Sequence, residues 1–153
     1  MNMIATNRDK SSLIEDKKKM GFGTKCVAIA IGLLWQWGVA ECIPNTNIIN
    51  VLCNSGVYTS GDPFGISLSY VLGDLEKETP TQKNYEYHNI SPYPNAYAYG
   101  HASCNLNITS SDCKTCLGAA KTALFSTCQT PRIGARSVLH HCTIRYEQYP
   151  FDD

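Results

Sequence analysis

Cysteine content constrains this chain more than any other feature, because eight cysteines occur in 153 residues. Such a density is typical of small secreted domains whose fold is held by disulfide bonds. Six of the eight lie after residue 42, and an even number suits three bridges in an oxidising compartment. Six cysteines can pair in fifteen ways, however, and their spacing alone does not choose between them.

An apolar segment near the start of the sequence predicts export from the cell. Residues 26–40 (CVAIAIGLLWQWGVA) are apolar apart from Gln36, follow a lysine-rich stretch and end in small residues. This order of basic region, short apolar core and small residues is typical of a signal peptide. A membrane-spanning helix needs about 20 apolar residues, so a retained membrane anchor is the weaker interpretation.

We therefore predict a signal peptide with a long basic n-region over residues 1–42 and a single secreted domain over residues 43–153. A start at Met20 would give the signal peptide ordinary proportions. Cleavage after Ala40 would leave Cys42 in the mature protein, and cleavage after Cys42 would remove it. The even number of remaining cysteines favours removal.

The charge of this predicted domain argues against two classes of partner. Residues 43–153 hold seven basic and nine acidic side chains, with no basic stripe. Nucleic-acid binding and attachment to anionic membranes both rest on clustered lysine and arginine. We expect neither, and we expect no membrane insertion after the signal peptide is cut.

Two amphipathic segments predict helices. The first begins at Asp62-Pro63, an N-cap followed by proline at the first helical position, and ends at Thr79-Pro80. The second starts near Ser110 and stops before Pro131. Their apolar faces are formed by Phe64, Leu68, Val71, Leu72 and Leu75 in the first helix, and by Cys113, Cys116, Leu117, Ala120, Leu124 and Cys128 in the second.

The remaining segments favour strands and turns. Residues 85–90, 96–99 and 136–149 are rich in aromatic and β-branched residues, and each predicts one strand. Residues 50–58 and 91–95 carry turn residues. The order strand, helix, strands, helix, strand predicts an α+β fold in which two helices cover one face of an antiparallel sheet. Two sequons, at Asn89 and Asn107, are candidate glycosylation sites in a secreted chain.

A spaced set of cysteines and two short motifs carry a resemblance to a known family. The run Cys104-x8-Cys113-x2-Cys116 is followed by Cys128, by IGAR at residues 133–136, by Cys142 and by YEQ at residues 146–148. This pattern resembles the ginkbilobin-like family of plant cysteine-rich antifungal proteins, whose domain also occurs in cysteine-rich receptor-like kinases. The resemblance extends from about Asn45 to Phe151.

The resemblance implies a fold, a disulfide pairing and a ligand. The family fold is two helices on a five-stranded antiparallel sheet. The implied bridges are Cys53–Cys128, Cys104–Cys113 and Cys116–Cys142. The implied ligand is mannose, bound by an asparagine after the first cysteine, the arginine of IGAR and the glutamate of YEQ, which here are Asn54, Arg136 and Glu147.

Hydrogen-bonding chemistry is compatible with that ligand. An amide, a carboxylate and a guanidinium together supply the donors and acceptors that adjacent sugar hydroxyls need. Without the resemblance, Arg136 and Glu147 would be interpreted as a surface ion pair and Asn54 as a turn residue. Tyr93, Tyr97 and Tyr99 could stack on a sugar or simply pack in the sheet.

Other chemistries find weaker support in the sequence. Cys113-x2-Cys116 with His140, His141 and Cys142 has the ligand types of a zinc site, but cysteines in a secreted protein favour disulfides. The same bridging would leave no thiolate for nucleophilic catalysis. The acids of the first helix, Asp74, Glu76 and Glu78, fit a solvated face better than a glycosidase pair. We expect no enzyme, metal or cofactor.

The function predicted from the sequence is that of a secreted, mannose-binding antifungal defence protein acting in the apoplast on mannan-type glycans of fungal cell walls. The alternative is an extracellular protein-interaction module, a ligand or decoy for cysteine-rich receptor-like kinases that binds no sugar.

Overall fold

Five strands and two helices make up residues 43–153, which are the residues that the computed structural model describes. In chain order they are β1 (Ile48–Cys53), α1 (Pro63–Glu78), β2 (Glu86–Ile90), β3 (Tyr99–Cys104), α2 (Ser110–Thr127), β4 (Gly134–Leu139) and β5 (Cys142–Glu147). The predicted signal peptide over residues 1–42 lies outside the described residues. Within the described range, neither helix has the length and apolar character needed to cross a bilayer.

All five strands pair antiparallel in one sheet, in the spatial order β1-β4-β5-β3-β2. Both helices pack against the same face: α1 against β2 and β3, and α2 against β4 and β5. The predicted α+β class, with two helices on a five-stranded antiparallel sheet, is confirmed. The opposite face, called the outer face below, carries neither helix.

Helix α1 begins and ends where the sequence predicts. The Asp62 side chain accepts a hydrogen bond from the backbone N–H of Phe64 at 2.9 Å, and Pro63 occupies the first helical position. The helix ends at Glu78 and continues as a short 3₁₀ turn, Thr79–Thr81, because proline at position 80 disfavours further α-helical geometry.

Helix α2 is fixed at its start by a capping box. The Thr109 hydroxyl accepts from the Asp112 backbone N–H at 3.1 Å, while the Asp112 carboxylate accepts from the Thr109 backbone N–H at 3.3 Å. Two of the free N–H donors at the helix start are thereby satisfied. The predicted apolar face of the helix is buried from Cys113 to Leu124.

The core lies between the helices and the inner face of the sheet. Its largest fully buried apolar side chains are Phe64, Leu72, Leu75, Leu117, Leu124 and Ile144. Gly100 on β3 allows α1 to approach the sheet closely, because a Cβ there would lie 2.3 Å from Val71 Cγ1. Burying each such leucine or phenylalanine contributes about 1.5–3 kcal/mol before entropy is counted.

Three disulfide bonds tie helix α2 to the sheet, and they join the pairs that the family resemblance implies. Cys53 at the end of β1 is bonded to Cys128 at the C-cap of α2. The other two bridges are Cys104–Cys113 and Cys116–Cys142. Cys113 and Cys116 lie one turn apart on the buried face of α2, so each reaches a different strand.

Three predictions about strands and turns are wrong. Residues 136–149 form two strands, not one, because the chain reverses at His140 and His141 so that β5 pairs with β4. Composition does not reveal this reversal, since the turn holds neither glycine nor asparagine. The strand that the predicted order places before the first helix is β1. Residues 50–53, expected within a turn-rich segment, belong to that strand, and the turn begins only at Asn54. Strand β3 starts at Tyr99 and runs to Cys104, later than residues 96–99 predicted.

The acids of α1 are not simply a solvated face, which corrects a further prediction. The Asp74 carboxylate accepts hydrogen bonds from the Tyr87 hydroxyl at 3.1 Å and from Asn89 Nδ2 at 2.6 Å, joining α1 to β2. Glu76 forms an ion pair with Lys121 of α2. Burial, followed by the hydrogen bond to Asp74, raises the pKa of Tyr87.

Candidate functional site

The outer face of the sheet holds all three residues implied to bind a ligand. Successive side chains of a strand point to opposite faces. On β5, Cys142, Ile144 and Tyr146 are buried towards the helices, so Arg145 and Glu147 lie on the outer face. The C-terminal residues fold back over this face, where the Asp153 side chain contacts Arg145 and His101.

Asn54 is held in a fixed orientation by its neighbours. It follows Cys53, whose bridge anchors the end of β1, and its backbone N–H donates to the Gly134 carbonyl at 2.8 Å. Its side-chain Oδ1 accepts from the Gly56 N–H at 2.9 Å, which forms an Asx turn. The turn interpretation of Asn54 is therefore confirmed, and the turn directs Nδ2 towards Glu147, whose Oε2 lies 3.2 Å away.

Glu147 is a nearly buried carboxylate at the end of β5. Its residue surface is only 6 % exposed, and its Oε1 accepts from Nε and Nη2 of Arg145, both at 3.3 Å. Gly134 makes room for it, since a Cβ at that position would lie 1.6 Å from Glu147 Oε2. The glycine of the IGAR motif thus leaves the space that the carboxylate of the YEQ motif occupies.

Arg136 lies on β4, on the same face, and is directly opposite Arg145 in the strand register. Its side chain is 41 % exposed, and Nη1 lies 3.8 Å from Asp153 Oδ1. Its buried Nε has no hydrogen-bond partner among the described residues. Because Nε is buried, only the terminal Nη groups of the guanidinium can face a ligand.

The expected surface ion pair between Arg136 and Glu147 does not form, because Glu147 is paired with Arg145 instead. The structure brings Asn54 and Glu147 into direct contact, whereas Arg136 is linked to them only through Asp153 and Arg145. Together the two arginines and the two acids form a four-charge network of zero net charge on the outer face.

Two residues of this network, Arg145 and Asp153, were not identified from the sequence, and neither was Tyr149, which contacts Asn54. Arg145 could have been found, because it precedes Glu147 by two residues and so shares its face of the strand. The Tyr149 hydroxyl accepts from Asn54 Nδ2 at 2.9 Å, and the Asp153 carboxylate accepts from Arg145 Nη1 at 2.8 Å. Both residues follow the end of β5, and the sequence does not show where those last residues pack.

Hydrogen bonds shift the pKa values of Asp153 and Arg145 so that both side chains stay charged, and that of Tyr149 so that its hydroxyl stays neutral. Burial alone would raise the pKa of the Asp153 carboxyl, but hydrogen bonds from Arg145 and His101 outweigh it, and that pKa is lowered. Burial would likewise lower the pKa of Arg145, but hydrogen bonds to Asp153 and Glu147 outweigh it, and that pKa is raised. Hydrogen bonding to Glu147, then burial, raises the pKa of the Tyr149 hydroxyl.

Of the three tyrosines considered for sugar stacking, Tyr99 lies nearest the network. It is opposite Glu147 in the pairing of β3 with β5 and is half-buried on the outer face. Its ring centroid is 6.4 Å from that of Tyr97, which is more exposed. Tyr93 instead packs edge-on against Tyr70 of α1.

The region beside the network includes a hollow of about 240 Å³, lined in part by Tyr99, Pro150 and Phe151. Asn54, Arg136 and Glu147 do not line it. The hollow therefore lies beside the network and does not contain it.

The cysteines and histidines considered above for a zinc site or a catalytic nucleophile do not form either one. Cys113, Cys116 and Cys142 all have their sulfur atoms in disulfide bonds, so these atoms cannot act as thiolate ligands. His140 and His141 lie at the β4–β5 turn, and His141 Nδ1 accepts from the Asn45 backbone N–H at 3.1 Å.

The two sequons differ in accessibility. Asn89 lies within β2, its amide is bonded to Asp74, and the hydroxyl-bearing residue of its sequon, Ser91, is 2 % exposed. Asn107 is exposed in the loop before α2.

Comparison with known proteins places this geometry in a family. The sequence model described as "Salt stress response/antifungal" matches residues 52–149. An antifungal protein ginkbilobin-like protein of Picea abies is 36% identical over 109 residues, which are 71% of this chain and 99% of that protein. Antifungal protein ginkbilobin-2 of Ginkgo biloba is 36% identical over 108 residues, 70% of this chain and 80% of that protein.

Solved structures with the same fold come from receptor-like proteins. The tandem DUF26 ectodomain of the Arabidopsis thaliana cysteine-rich receptor-like protein PDLP8 superposes with a TM-score of 0.62 at 21% identity, covering 69% of this chain. That of PDLP5 gives a TM-score of 0.61 at 19% identity, also over 69% of this chain. The chain spans about half the length of each ectodomain.

Proposed function

The chain belongs to the salt stress response/antifungal family, and from that premise we propose that it is a secreted, mannose-binding antifungal defence protein. The signal peptide over residues 1–42 would direct it to the apoplast, where its partners would be mannan-type glycans of fungal cell walls. The antifungal part of this proposal is supported by relatives that are named antifungal proteins and share more than a third of their aligned residues with it.

The observation that carries the sugar-binding part is the contact between Asn54 and Glu147 on an open face beside two arginines. Sugar hydroxyls each donate and accept hydrogen bonds. Glu147 can accept from one hydroxyl, and Arg136 can donate to its neighbour from an unoccupied guanidinium edge. A pair of hydroxyls with the right stereochemistry would satisfy both groups at once.

The site is largely organised before any ligand arrives. The Cys53–Cys128 bridge and the Asx turn hold Asn54, and the β5 strand anchored by Cys142 holds Glu147. Groups that are already ordered cost less conformational entropy on binding. Arg136 is the exception, since its half-exposed side chain would be ordered by the ligand.

We also propose that binding, not catalysis, is the activity. All six cysteines within residues 43–153 are in disulfides, so that part of the chain offers no thiolate nucleophile. An open site that contacts one sugar binds weakly, and clustered glycans on a cell wall would supply the avidity that a single site lacks.

Calorimetric titration with mannose, and binding to immobilised mannan, test this function. We expect Asn54→Ala, Arg136→Ala and Glu147→Ala to weaken binding by about 10-fold or more, since a hydrogen bond to a charged group contributes about 1.5–3 kcal/mol. Asn95→Ala and Lys114→Ala, at exposed positions elsewhere, serve as controls that should bind normally. If the wild type ignores mannose, or the site variants bind like the controls, the sugar-binding proposal fails.

Antifungal action needs a separate measurement. We expect the purified protein to slow fungal growth, and we expect the Glu147→Ala variant to lose that effect together with mannose binding. Unchanged fungal growth at high protein concentration would contradict the defence role while leaving sugar binding intact.

One observation favours the alternative of a protein-interaction module. Strand β1 forms a free edge of the sheet, and it exposes Ile48, Ile49 and Leu52 by more than half of their surfaces. Exposed apolar side chains on an edge strand are suited to pairing with another protein. If the wild type binds no mannose and an Ile49→Asp variant loses antifungal activity, this second function is favoured.

A further inference from the structure

A second cluster of polar side chains lies on the outer face, at the β2 edge of the sheet. Glu86, His88 and His101 each offer one ligand atom, and these atoms all lie within 4.8 Å of one another. We propose that these three residues form a binding site for a divalent transition-metal ion, with Zn²⁺ as the ion to test. Two imidazoles and a carboxylate are a ligand set that such ions accept.

Strand geometry explains why the three side chains converge. His88 and His101 are directly opposite in the pairing of β2 with β3. Their rings are stacked with centroids 3.9 Å apart and planes 7° from parallel. Glu86 precedes His88 by two residues, so it projects from the same face of β2.

His101 is a buried histidine, and one of its ring nitrogens has no hydrogen-bond partner within the described residues. The residue is 7 % exposed, and its Nε2 is buried without a hydrogen-bond partner. Its other ring nitrogen, Nδ1, is bonded to the Asp153 carboxylate. When Nδ1 carries the proton of that bond, the Nε2 lone pair faces Glu86 Oε1 at 3.4 Å. Two acceptors at that distance repel each other unless a cation lies between them.

The hydrogen bond between Asp153 and His101 is of the kind that commonly supports a metal-binding histidine. A carboxylate that accepts from one ring nitrogen fixes the orientation of the ring and makes the other nitrogen a better ligand. Asp153 holds His101 in this manner, and Asp153 is itself fixed by Arg145 at 2.8 Å. His101 is thus held in place by Asp153 and Arg145, two members of the four-charge network that lies beside the proposed mannose site.

The distances suit a small ion. Zinc–nitrogen and zinc–oxygen bonds of about 2.0–2.2 Å place neighbouring ligand atoms about 3.3 Å apart in a tetrahedral shell. Glu86 Oε1 lies 3.4 Å from His101 Nε2 and 3.7 Å from His88 Nε2, both close to that spacing. The lone pairs of the two stacked rings lie in nearly parallel planes, so the exposed His88 ring must tilt before both histidines bind the same ion. Because the His88 and Glu86 side chains are 62 % and 50 % exposed, an ion can reach them from solvent.

Titration of the purified protein with ZnCl₂ by calorimetry, after treatment with a chelator, tests the site. We expect one Zn²⁺ per chain, and we expect His88→Ala and Glu86→Gln to weaken its binding by at least about 10-fold. Asp153→Asn should weaken it by about 10- to 100-fold through the loss of support for His101. Circular dichroism of each variant checks that the fold is kept.

His140→Ala is the matched control, because it removes an exposed histidine at the β4–β5 turn. We expect it to leave zinc binding unchanged. The two exposed ligands, His88 and Glu86, keep the test decisive even if a variant at buried His101 does not fold. Absence of Zn²⁺ binding by the wild type, or equal binding by His88→Ala and the wild type, would overturn the proposal and leave the cluster as a histidine–glutamate ion pair.

Discussion

Replacing Gly134 by alanine tests most sharply how the outer face is built. The added Cβ would lie 1.6 Å from Glu147 Oε2 and 2.4 Å from its Cδ, whereas ordinary contact begins at 3.4 Å. The carboxylate must therefore retreat, and retreat breaks its hydrogen bonds to Asn54 and Arg145. The backbone of Gly134 accepts alanine without strain, because its φ is not positive. Within residues 43–153, Gly61 is the glycine with a positive φ.

The expected cost follows from this clash. Overpacking a well-filled site costs about 1–3 kcal/mol, and the bonds that Glu147 would lose place the value near the middle of that range, about 2 kcal/mol. At about 4 °C per kcal/mol, the melting temperature should fall by roughly 8 °C. Mannose binding should weaken in parallel, because Glu147 would no longer lie beside Asn54.

Urea unfolding of the oxidised protein, followed by far-ultraviolet circular dichroism, measures the effect. The same substitution in a Glu147→Ala background should be neutral or slightly stabilising, because the atoms that clash are gone. Gly73→Ala is the control, since a Cβ there meets nothing within 4 Å and helix propensity favours alanine by up to about 1 kcal/mol. Equal destabilisation by Gly134→Ala in the presence and absence of Glu147 would refute the reasoning.

Three further predictions concern the disulfides, the glycans and helix α2. Removing the Cys53–Cys128 bridge with a double serine variant should lower the free energy of unfolding by about 4 kcal/mol, because it opens a loop of 75 residues; a loss below 1 kcal/mol in urea unfolding would contradict this. Asn107→Gln should abolish the mass shift that endoglycosidase produces, while Asn89→Gln should not, because only Asn107 is exposed and free of a side-chain bond to Asp74; the reverse pattern would be contrary to this account. Thr109→Ala should cost about 1 kcal/mol through loss of the capping box, and an unchanged unfolding midpoint would show that the cap is dispensable.

The helices were predictable from the sequence because their signals are local. Asp62-Pro63 marks the start of α1, and the 3.6-residue spacing of its apolar side chains marks its buried face. The β4–β5 reversal was not predictable, since His140 and His141 carry none of the residues that mark a tight hairpin. Local patterns therefore gave the helices but missed this turn.

The candidate site was predictable only in part. The pairing of cysteines could not be derived from their spacing, and it came from the family resemblance. Arg145 could have been placed beside Glu147 from the two-residue period of a strand. Asp153 could not, because its contacts with Arg145 and His101 depend on a fold-back of the last residues that no local signal records. The chemistry of the outer face thus depends on tertiary contacts more than on motifs.

Nuclear magnetic resonance of the ¹⁵N-labelled protein during titration with methyl α-mannoside tests the central claim most directly, because it both detects binding and locates it. We predict saturable shifts of the Asn54 side-chain amide, the Arg136 Nε–H and the backbone amides of Gly134 and Glu147, and no shifts with the matching galactoside. Spectra that do not change with mannoside, or shifts confined to residues away from this part of the outer face, would contradict the claim that Asn54, Arg136 and Glu147 form a mannose-binding site.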